Sequence, residues 1–187
     1  QALGAIPVPL YQDAASAEFV FPIVNADVAF AIVEDQEQVD KLLEIRPQCP
    51  GLARLWFDDP RGLRNYSEPG LAALDTLLAS QPADVFETEV AKTDPNEVAA
   101  MFFTSGTTGN PKGVMHSHFT LLDRAQAGAR FDKLTSNEEV LAYLPPAWVG
   151  QNIFSYAQWL ACGFVVNCPE SAATAGMVLP SRNSRKA

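Results

Sequence analysis

The chain has 187 residues, of which 48% are hydrophobic, and it carries a formal net charge of −9. This apolar content, with a mean hydropathy near zero, excludes an intrinsically disordered chain and predicts a soluble globular fold with one sizeable core. The acidity argues against a nucleic-acid partner, so any phosphate site must be built locally. Three cysteines show neither paired nor metal-type spacing, which favours a reducing, cytoplasmic location: Cys49, Cys162 and Cys168.

The first half of the chain alternates strand-like apolar runs with segments of helical periodicity. Strands are predicted at residues 3–10, 28–33 and 52–57, and helices at 14–25, 34–45 and 70–80. Pro7 and Pro9 restrict the first strand to a sheet edge, and Pro22 is expected to kink or break the first helix. The unbroken apolar run at 28–33 predicts a strand covered on both faces. The last of these helices is expected to turn four leucines toward the core: Leu71, Leu74, Leu77 and Leu78. Residues 81–92 are expected to form a polar connection.

The second half continues the alternation. Strands are predicted at residues 98–103, 114–115, 139–144 and 164–166, and helices at about 117–127 and at 154–161. Ser117 is predicted to cap the first of these helices, Gly128 is placed to end it, and the second is expected to be buried. Strands that alternate with helices predict an α/β fold with a largely parallel sheet and flanking helices.

The loop after the strand at 98–103 concentrates residue types that bind phosphate. Glycines at 106, 109 and 113 permit positive φ and close backbone approach, so that successive N–H groups can converge on an anion. Lys112 adds a mobile positive charge, and Pro111 restricts φ immediately before it. Hydroxyl groups that can turn toward phosphate oxygens belong to Thr104, Ser105, Thr107 and Thr108. Residues 104–113 therefore predict a polyphosphate site.

Other glycine-rich loops fit this stretch less well. Lys112 follows a proline and precedes a glycine, so the Gly-Lys-Ser/Thr register of a Walker A loop is absent. The glycine spacing of dinucleotide-binding loops is absent as well. Residues 106–109 match the short Gly-x-x-Gly clamp of some RNA-binding domains, but the acidic chain gives that interpretation no support. An ordinary turn would need neither the lysine nor the run of hydroxyls.

Residues 105–113 resemble the phosphate-loop signature of the adenylate-forming (AMP-binding) superfamily of acyl-CoA synthetases, adenylation domains and luciferases. Residues 2–11 resemble an early strand-and-turn segment of that family, and residues 142–148 lie where it has its next core motif. The wider context is most similar to bacterial long-chain fatty-acid–CoA ligases. The resemblance covers about residues 1–170 and implies part of the large N-terminal domain of an adenylate-forming enzyme.

The resemblance also implies a reaction and its ligands. The family activates a fatty carboxylate with ATP as an acyl-adenylate, releases pyrophosphate and transfers the acyl group to coenzyme A. Mg²⁺ would bridge the phosphates with a protein carboxylate from elsewhere. The expected partners are fatty acid, ATP and CoA, whereas peripheral membrane contact of the full-length enzyme and the oligomeric state stay open. The residues assigned to the β- and γ-phosphates are Thr104, Ser105, Gly106, Thr107, Thr108, Gly109 and Lys112.

Several motifs of the resembling enzymes have no counterpart in the chain. These are the tyrosine/threonine/glutamate motif for adenine and magnesium, the ribose-binding aspartate and the C-terminal catalytic lysine, so no residue here is assigned a catalytic role. The missing motifs, together with a sequence that begins at Gln1 inside a strand-like segment, favour a fragment that is inactive alone. The alternatives are a non-catalytic α/β remnant that binds nucleotide or a partner, and a ligase for aryl or medium-chain carboxylates.

Residues 171–187 are small, polar and basic, and they no longer resemble the family. We expect this tail to be poorly ordered, and a truncation or a shifted reading frame near Glu170 would explain it.

Two further places could carry chemistry. His116 and His118 could project from one side of a strand, but a metal site needs more ligands than the neighbouring sequence offers, so a structural role is favoured. In the resembling enzymes, the segment around Trp148 lies beside the carboxylate and the acyl tunnel. Trp148 is therefore a candidate to line or gate that tunnel, with core packing as the alternative. Phe154 and Trp159 are expected to fill the core.

Overall fold

The computed structural model describes residues 1–80, 85–104, 109–169 and 174. The chain divides into two compact units, one of residues 1–93 and 103–114 and the other of residues 94–102 and 115–187. Both combine parallel strands with flanking helices, as the predicted α/β class requires. The predicted disorder of the tail concerns residues that, apart from Thr174, lie outside the described ones.

The described elements follow one another in this order: α1 (Ser16–Asn25), β1 (Phe30–Val33), α2 (Gln36–Ile45), a 3₁₀ turn (Arg46–Gln48), β2 (Arg54–Phe57), β3 (Leu71–Ala73), α3 (Leu74–Leu78), α4 (Phe86–Lys92), β4 (Val98–Thr104), β5 (Lys112–Ser117), α5 (His118–Asp132), β6 (Glu139–Leu141), α6 (Val149–Gln151), a π-helix (Asn152–Ala157), α7 (Gln158–Cys162) and β7 (Val165–Asn167).

The first unit is built on a parallel sheet of β1, β2 and β3, with Phe30 opposite Arg54 and Leu55 opposite Leu71. Helices α1 and α2 pack together, and their apolar side chains close a core around the fully buried Leu55. Burial of this cluster is the main favourable term for the unit. Its buried members are Phe19, Ile23, Leu42, Ile45, Cys49, Leu52 and Leu55.

Helix α2 forms largely as its sequence predicts. The Asp35 carboxylate accepts a hydrogen bond from the Gln38 N–H at 3.2 Å and so caps the first turn. Val39 and Leu42 then face the core at i, i+3 spacing. Pro22 is expected to kink or break helix α1; the helix is not broken, since it continues through Pro22 to Asn25. Pro22 is itself buried, and the packing of that face offsets the hydrogen bond that a proline cannot donate.

Four predictions for the first unit are wrong. Residues 3–10 form no strand, because two prolines remove ladder donors. Strand β1 is not covered on both faces, since Phe30 and Ile32 are each 62% exposed. Residues 71–73 are a strand that pairs with β2, and the helix begins only at Leu74, with Leu77 and Leu78 exposed. Residues 86–92 form α4, in which acidic residues in the first turn and Lys92 in the last suit the helix dipole.

The second unit contains α5, the helical segment 149–162 and the parallel pair β6–β7, in which Val140 lies opposite Val166. The Ser117 hydroxyl accepts a hydrogen bond from the Thr120 N–H at 3.1 Å, so the predicted cap is confirmed. Helix α5 passes through Gly128, however, and ends at Asp132 before a left-handed Lys133. Gly128 instead leaves room for the Gln158 side chain of α7, because a Cβ there would lie 2.8 Å from the Gln158 amide nitrogen.

No helix in the described part of the chain is both long and apolar enough to cross a membrane.

Gly70 is held against β2 by backbone geometry. Its φ is +80°, its carbonyl accepts a hydrogen bond from the Leu55 N–H at 2.9 Å, and a Cβ would lie 2.5 Å from the Ala53 carbonyl oxygen. Both the left-handed conformation and the missing space require glycine at this position.

We expect Gly70→Ala to lower the free energy of unfolding by about 2–4 kcal/mol, because the backbone of β2 must move as well as accept a strained φ. Gly163 is the matched control, since its φ is +75° and a Cβ there would meet nothing within 4 Å. Gly163→Ala should therefore cost only about 1 kcal/mol. Urea unfolding of both variants measures the difference, and equal losses would contradict the steric argument.

Tyr66 ties the loop after β2 to helix α2. Its hydroxyl accepts a hydrogen bond from the Gln36 Nε2 at 2.9 Å and donates one to the Asp40 Oδ1 at 2.7 Å. The bond to the Asp40 carboxylate raises the pKa of Tyr66 above its ordinary value of 10.0, because it favours the protonated phenol.

This raised pKa predicts a specific loss of stability at high pH. A group whose folded pKa lies above its unfolded value contributes fully below the unfolded pKa and loses that contribution as the pH rises through the folded pKa. Tyr66→Phe should therefore be less stable than the wild type near neutral pH, and the difference should shrink above about pH 10. Chemical unfolding of both proteins across this range tests it, and a difference that stays constant would rule the linkage out.

Candidate phosphate-binding site

Strands β4 and β5 bring the two ends of the glycine-rich loop together. The strands are hydrogen-bonded neighbours. The Thr104 hydroxyl reaches the Lys112 carbonyl oxygen at 3.5 Å, and the His118 N–H beyond β5 donates to the Glu97 carbonyl before β4 at 3.2 Å. The first residues of one strand therefore meet the last residues of the other, so the pair is antiparallel. This pairing places a hydroxyl and a lysine, eight positions apart, at the mouth of one loop.

The described part of the loop has the backbone conformation that its glycine predicts. Gly109 has a φ of +101°, and a Cβ there would meet nothing within 4 Å, so conformation rather than space requires glycine. Residues 109 and 110 are exposed, and Pro111 is partly exposed just before β5. Ser105, Gly106, Thr107 and Thr108, which are predicted to contact phosphate, lie outside the described residues.

Lys112 begins β5 with an exposed side chain. The ion pairs seen in the described residues join other partners, such as Lys41 with Glu37 and Lys92 with Glu89. Within those residues, the Lys112 ammonium is not neutralised by a carboxylate. In a chain of net charge −9, an exposed lysine at this position is the kind of local positive charge that an anion site requires.

The two histidines do not share one side of a strand. His116 lies in β5 and meets the Phe102 ring edge-on with centroids 5.7 Å apart, whereas His118 is the first residue of α5. Across residues 1–80, 85–104 and 109–169, no three or more His, Cys, Asp or Glu residues are grouped so as to hold a metal ion. The ring contact gives His116 a packing role.

Trp148 lies at the end of a loop, residues 144–148, whose backbone groups are held by several hydrogen bonds. Its side chain is 54% exposed, and its N–H donates to the Pro145 carbonyl at 2.9 Å immediately before α6. The Asn152 amide donates to the carbonyls of Pro146 and Trp148 at 2.8 Å and 3.1 Å. The Gln151 Oε1 accepts from the Leu144 N–H at 3.1 Å.

Phe154 and Trp159 are not core residues, which corrects the prediction from the sequence. They are 52% and 43% exposed, and Trp159 stacks on Tyr156 with centroids 6.5 Å apart. The segment changes from α to π geometry at Asn152, which displaces these side chains from a regular helical stripe. Ser155, Ala157 and Gln158 take the buried positions instead.

The hydrogen bonds of Gln151 and Asn152 to the loop were not predicted from the sequence. Their amide side chains follow a Pro-Pro turn, where a polar side chain often satisfies free backbone groups. That signal was present in the sequence, but which backbone groups they bond depends on the folded loop.

The described ends of the glycine-rich loop lie on two neighbouring strands, β4 and β5, within an α/β framework. The family model described as AMP-binding enzyme matches residues 1–180. The chain belongs to this family.

Curated relatives agree with that assignment. The chain is 33% identical over 153 residues to the long-chain-fatty-acid–CoA ligase ACSBG2 of Homo sapiens, which covers 76% of the chain and 22% of that protein. It is 25% identical over 181 residues to the long-chain-fatty-acid–CoA ligase ACSBG1 of Bos taurus, covering 94% of the chain and 25% of the relative.

Solved structures share the fold. The anthranilate CoA ligase AuaEII, in complex with anthranoyl-AMP, matches with a TM-score of 0.75 and 23% identity over 95% of this chain and 33% of that one. A long-chain-fatty-acid–CoA ligase from Archaeoglobus fulgidus matches with a TM-score of 0.71 and 22% identity over 88% of this chain and 30% of that one. The chain thus spans between 20% and 25% of the length of the first curated relatives that it matches.

Proposed function

We propose that this chain supplies the pyrophosphate-binding loop of an ATP-dependent fatty-acid–CoA ligase. The observation that carries the proposal is the β4–β5 pair, which brings Thr104 and the backbone of the exposed Lys112 together at the two ends of a loop with Gly109 at positive φ. Membership of the AMP-binding family and relatives named as long-chain-fatty-acid–CoA ligases support it.

The proposed reaction has two steps. A carboxylate oxygen attacks the α-phosphorus of ATP, the bond to the β-phosphate oxygen breaks, and acyl-adenylate and pyrophosphate form. The thiol of coenzyme A then attacks the acyl carbon, AMP leaves, and the thiol proton is released. Negative charge grows on the departing pyrophosphate in the first step, so donors already aimed at its oxygens lower the barrier.

The described loop residues fit a phosphate ligand. An exposed hydroxyl at Thr104 and an exposed ammonium at Lys112 can both reach an anion, and the left-handed Gly109 can direct neighbouring N–H groups outward. We include Ser105, Gly106, Thr107 and Thr108 in the proposed site on the sequence alone. Mg²⁺ is proposed from the family resemblance alone. The described residues contain no group of three or more His, Cys, Asp or Glu side chains that could hold a metal ion, so no ligand and no step are assigned to Mg²⁺.

The substrate is proposed to be a long-chain fatty acid. Support comes from the names of the relatives at 25% and 33% identity. Within the chain, the exposed Trp148 is proposed to line or gate the path of the acyl chain, since a half-exposed indole on a bonded loop offers a flat apolar surface.

We propose that the complete activity belongs to a longer polypeptide of which these residues form one part. The short span relative to its curated relatives supports this. A reducing, cytoplasmic location is proposed as well, on the ground that Cys49, Cys162 and Cys168 are free thiols.

The decisive experiment measures ATP–pyrophosphate exchange with a panel of long-chain, medium-chain and aryl carboxylates. It is run on this chain and on the longest natural polypeptide that contains it. We expect exchange only in the longer polypeptide, with long-chain acids preferred. Exchange with neither protein would refute the ligase proposal and would favour the alternative of a non-catalytic binding module.

Lys112→Ala in the longer polypeptide should slow pyrophosphate exchange by about 10–100-fold, because one charge-assisted hydrogen bond to the leaving group is lost. Lys133→Ala is the matched control, since it removes an equal charge from the end of α5. Lys112→Arg should recover part of the rate. Normal exchange in Lys112→Ala would remove Lys112 from the site.

Trp148→Ala should shift the preferred acyl chain length and leave the KM for ATP unchanged, because it alters only the proposed acyl path. Phe131→Ala is a suitable control, because it deletes another aromatic ring that is 85% exposed on α5. kcat/KM across a series of fatty acids measures the effect. An unchanged chain-length profile would assign Trp148 no part in specificity.

A further inference from the structure

The loop that carries Trp148 is held by two neighbouring side chains of the following helix. Asn152 donates from one amide group to the carbonyls of Pro146 and Trp148, at 2.8 Å and 3.1 Å. Gln151 accepts from the Leu144 N–H at 3.1 Å. Three backbone groups spread over five residues, 144–148, are thus satisfied by two adjacent amides, which we call the amide clamp.

Burial cannot hold the indole in place, because more than half of the Trp148 side chain is exposed. The backbone on either side of it is fixed by hydrogen bonds instead: the Trp148 N–H bonds the Pro145 carbonyl, and the Trp148 carbonyl accepts from both the Gln151 N–H and the Asn152 amide. The backbone from which the indole projects is therefore held in part by the clamp.

The clamp also coincides with a change of helix geometry. The segment leaves α geometry after Gln151 and enters a π-helix at Asn152. Single π turns inside helices are rare and concentrate at functional sites, because they re-aim side chains that a regular helix would direct elsewhere.

We infer that Gln151 and Asn152 are positioning residues that fix loop 144–148 and thereby set where Trp148 meets an apolar acyl chain. The identity of the substrate in this inference rests on the proposed ligase function, whereas the loop geometry does not. The loop geometry is therefore tested by methods that need no turnover, and the effect on the substrate is tested by enzyme kinetics.

The first measurement uses the 187-residue chain and needs no substrate. Gln151→Met removes the acceptor of the Leu144 N–H, so hydrogen exchange at Leu144 should accelerate about fivefold, the factor that one ordinary hydrogen bond gives. Gln151→Glu keeps an acceptor oxygen and should exchange at the wild-type rate. Unchanged exchange in Gln151→Met, with a native circular dichroism spectrum, would overturn the clamp.

The second measurement reports on the indole itself. In a chain with Trp56→Phe and Trp159→Phe, Trp148 is the sole tryptophan. Asn152→Asp replaces the donor with a carboxylate that faces two carbonyl oxygens, and acrylamide quenching of Trp148 should then change measurably. Asn137→Asp, which adds the same charge in the exposed turn before β6, should leave quenching unchanged. Equal quenching in both variants would count against the inference.

The third measurement uses the longer polypeptide. Asn152→Asp should raise the KM for the fatty acid and flatten chain-length preference, with the KM for ATP unchanged. If exchange or quenching responds but turnover is absent from the wild type, the clamp stands and the ligase proposal fails. If the wild type turns over and the clamp variants keep its chain-length profile, the specificity role is overturned.

Discussion

Pairing between β4 and β5 is the constraint on which the candidate phosphate site depends. Strand β4 is anchored by buried Ala99, Ala100 and Phe102, and hydrogen bonds hold β5 beside it. Thr104 and Lys112 are consequently neighbours at the mouth of one loop. Strand pairing fixes the backbone from which both side chains project, and such preorganisation is what the proposed stabilisation of a leaving group requires.

The two units differ in what stabilises their functional segments. In the first, a parallel sheet and two helices enclose a buried apolar cluster, with Leu55 fully buried. In the second, the segment of interest is a loop bonded by amide side chains, and its tryptophan stays half exposed. Some large apolar side chains of both units are exposed, among them Phe30, Ile32 and Phe131.

Much of the fold follows from local pattern. Apolar periodicity predicts α2, β2 and β4, and a hydroxyl before a helical run predicts the Ser117 cap. The wrong predictions of burial share one cause, since an apolar run does not say which of its faces finds a partner. Phe30 and Trp159 are therefore exposed although their surroundings in sequence resemble core. Gly128 likewise looks like a helix end, but it leaves room for the Gln158 side chain of α7.

The sequence by itself determined the α/β class and the family, because these depend on residue type and spacing within short stretches. Only the tertiary structure decided that Thr104 meets Lys112, that Gly70 lies against the Ala53 carbonyl, and that the Gln151 and Asn152 amides bond the loop before Trp148. Such contacts join residues that the turns of the folded chain bring together. Local periodicity carries no information about which residues those turns make neighbours.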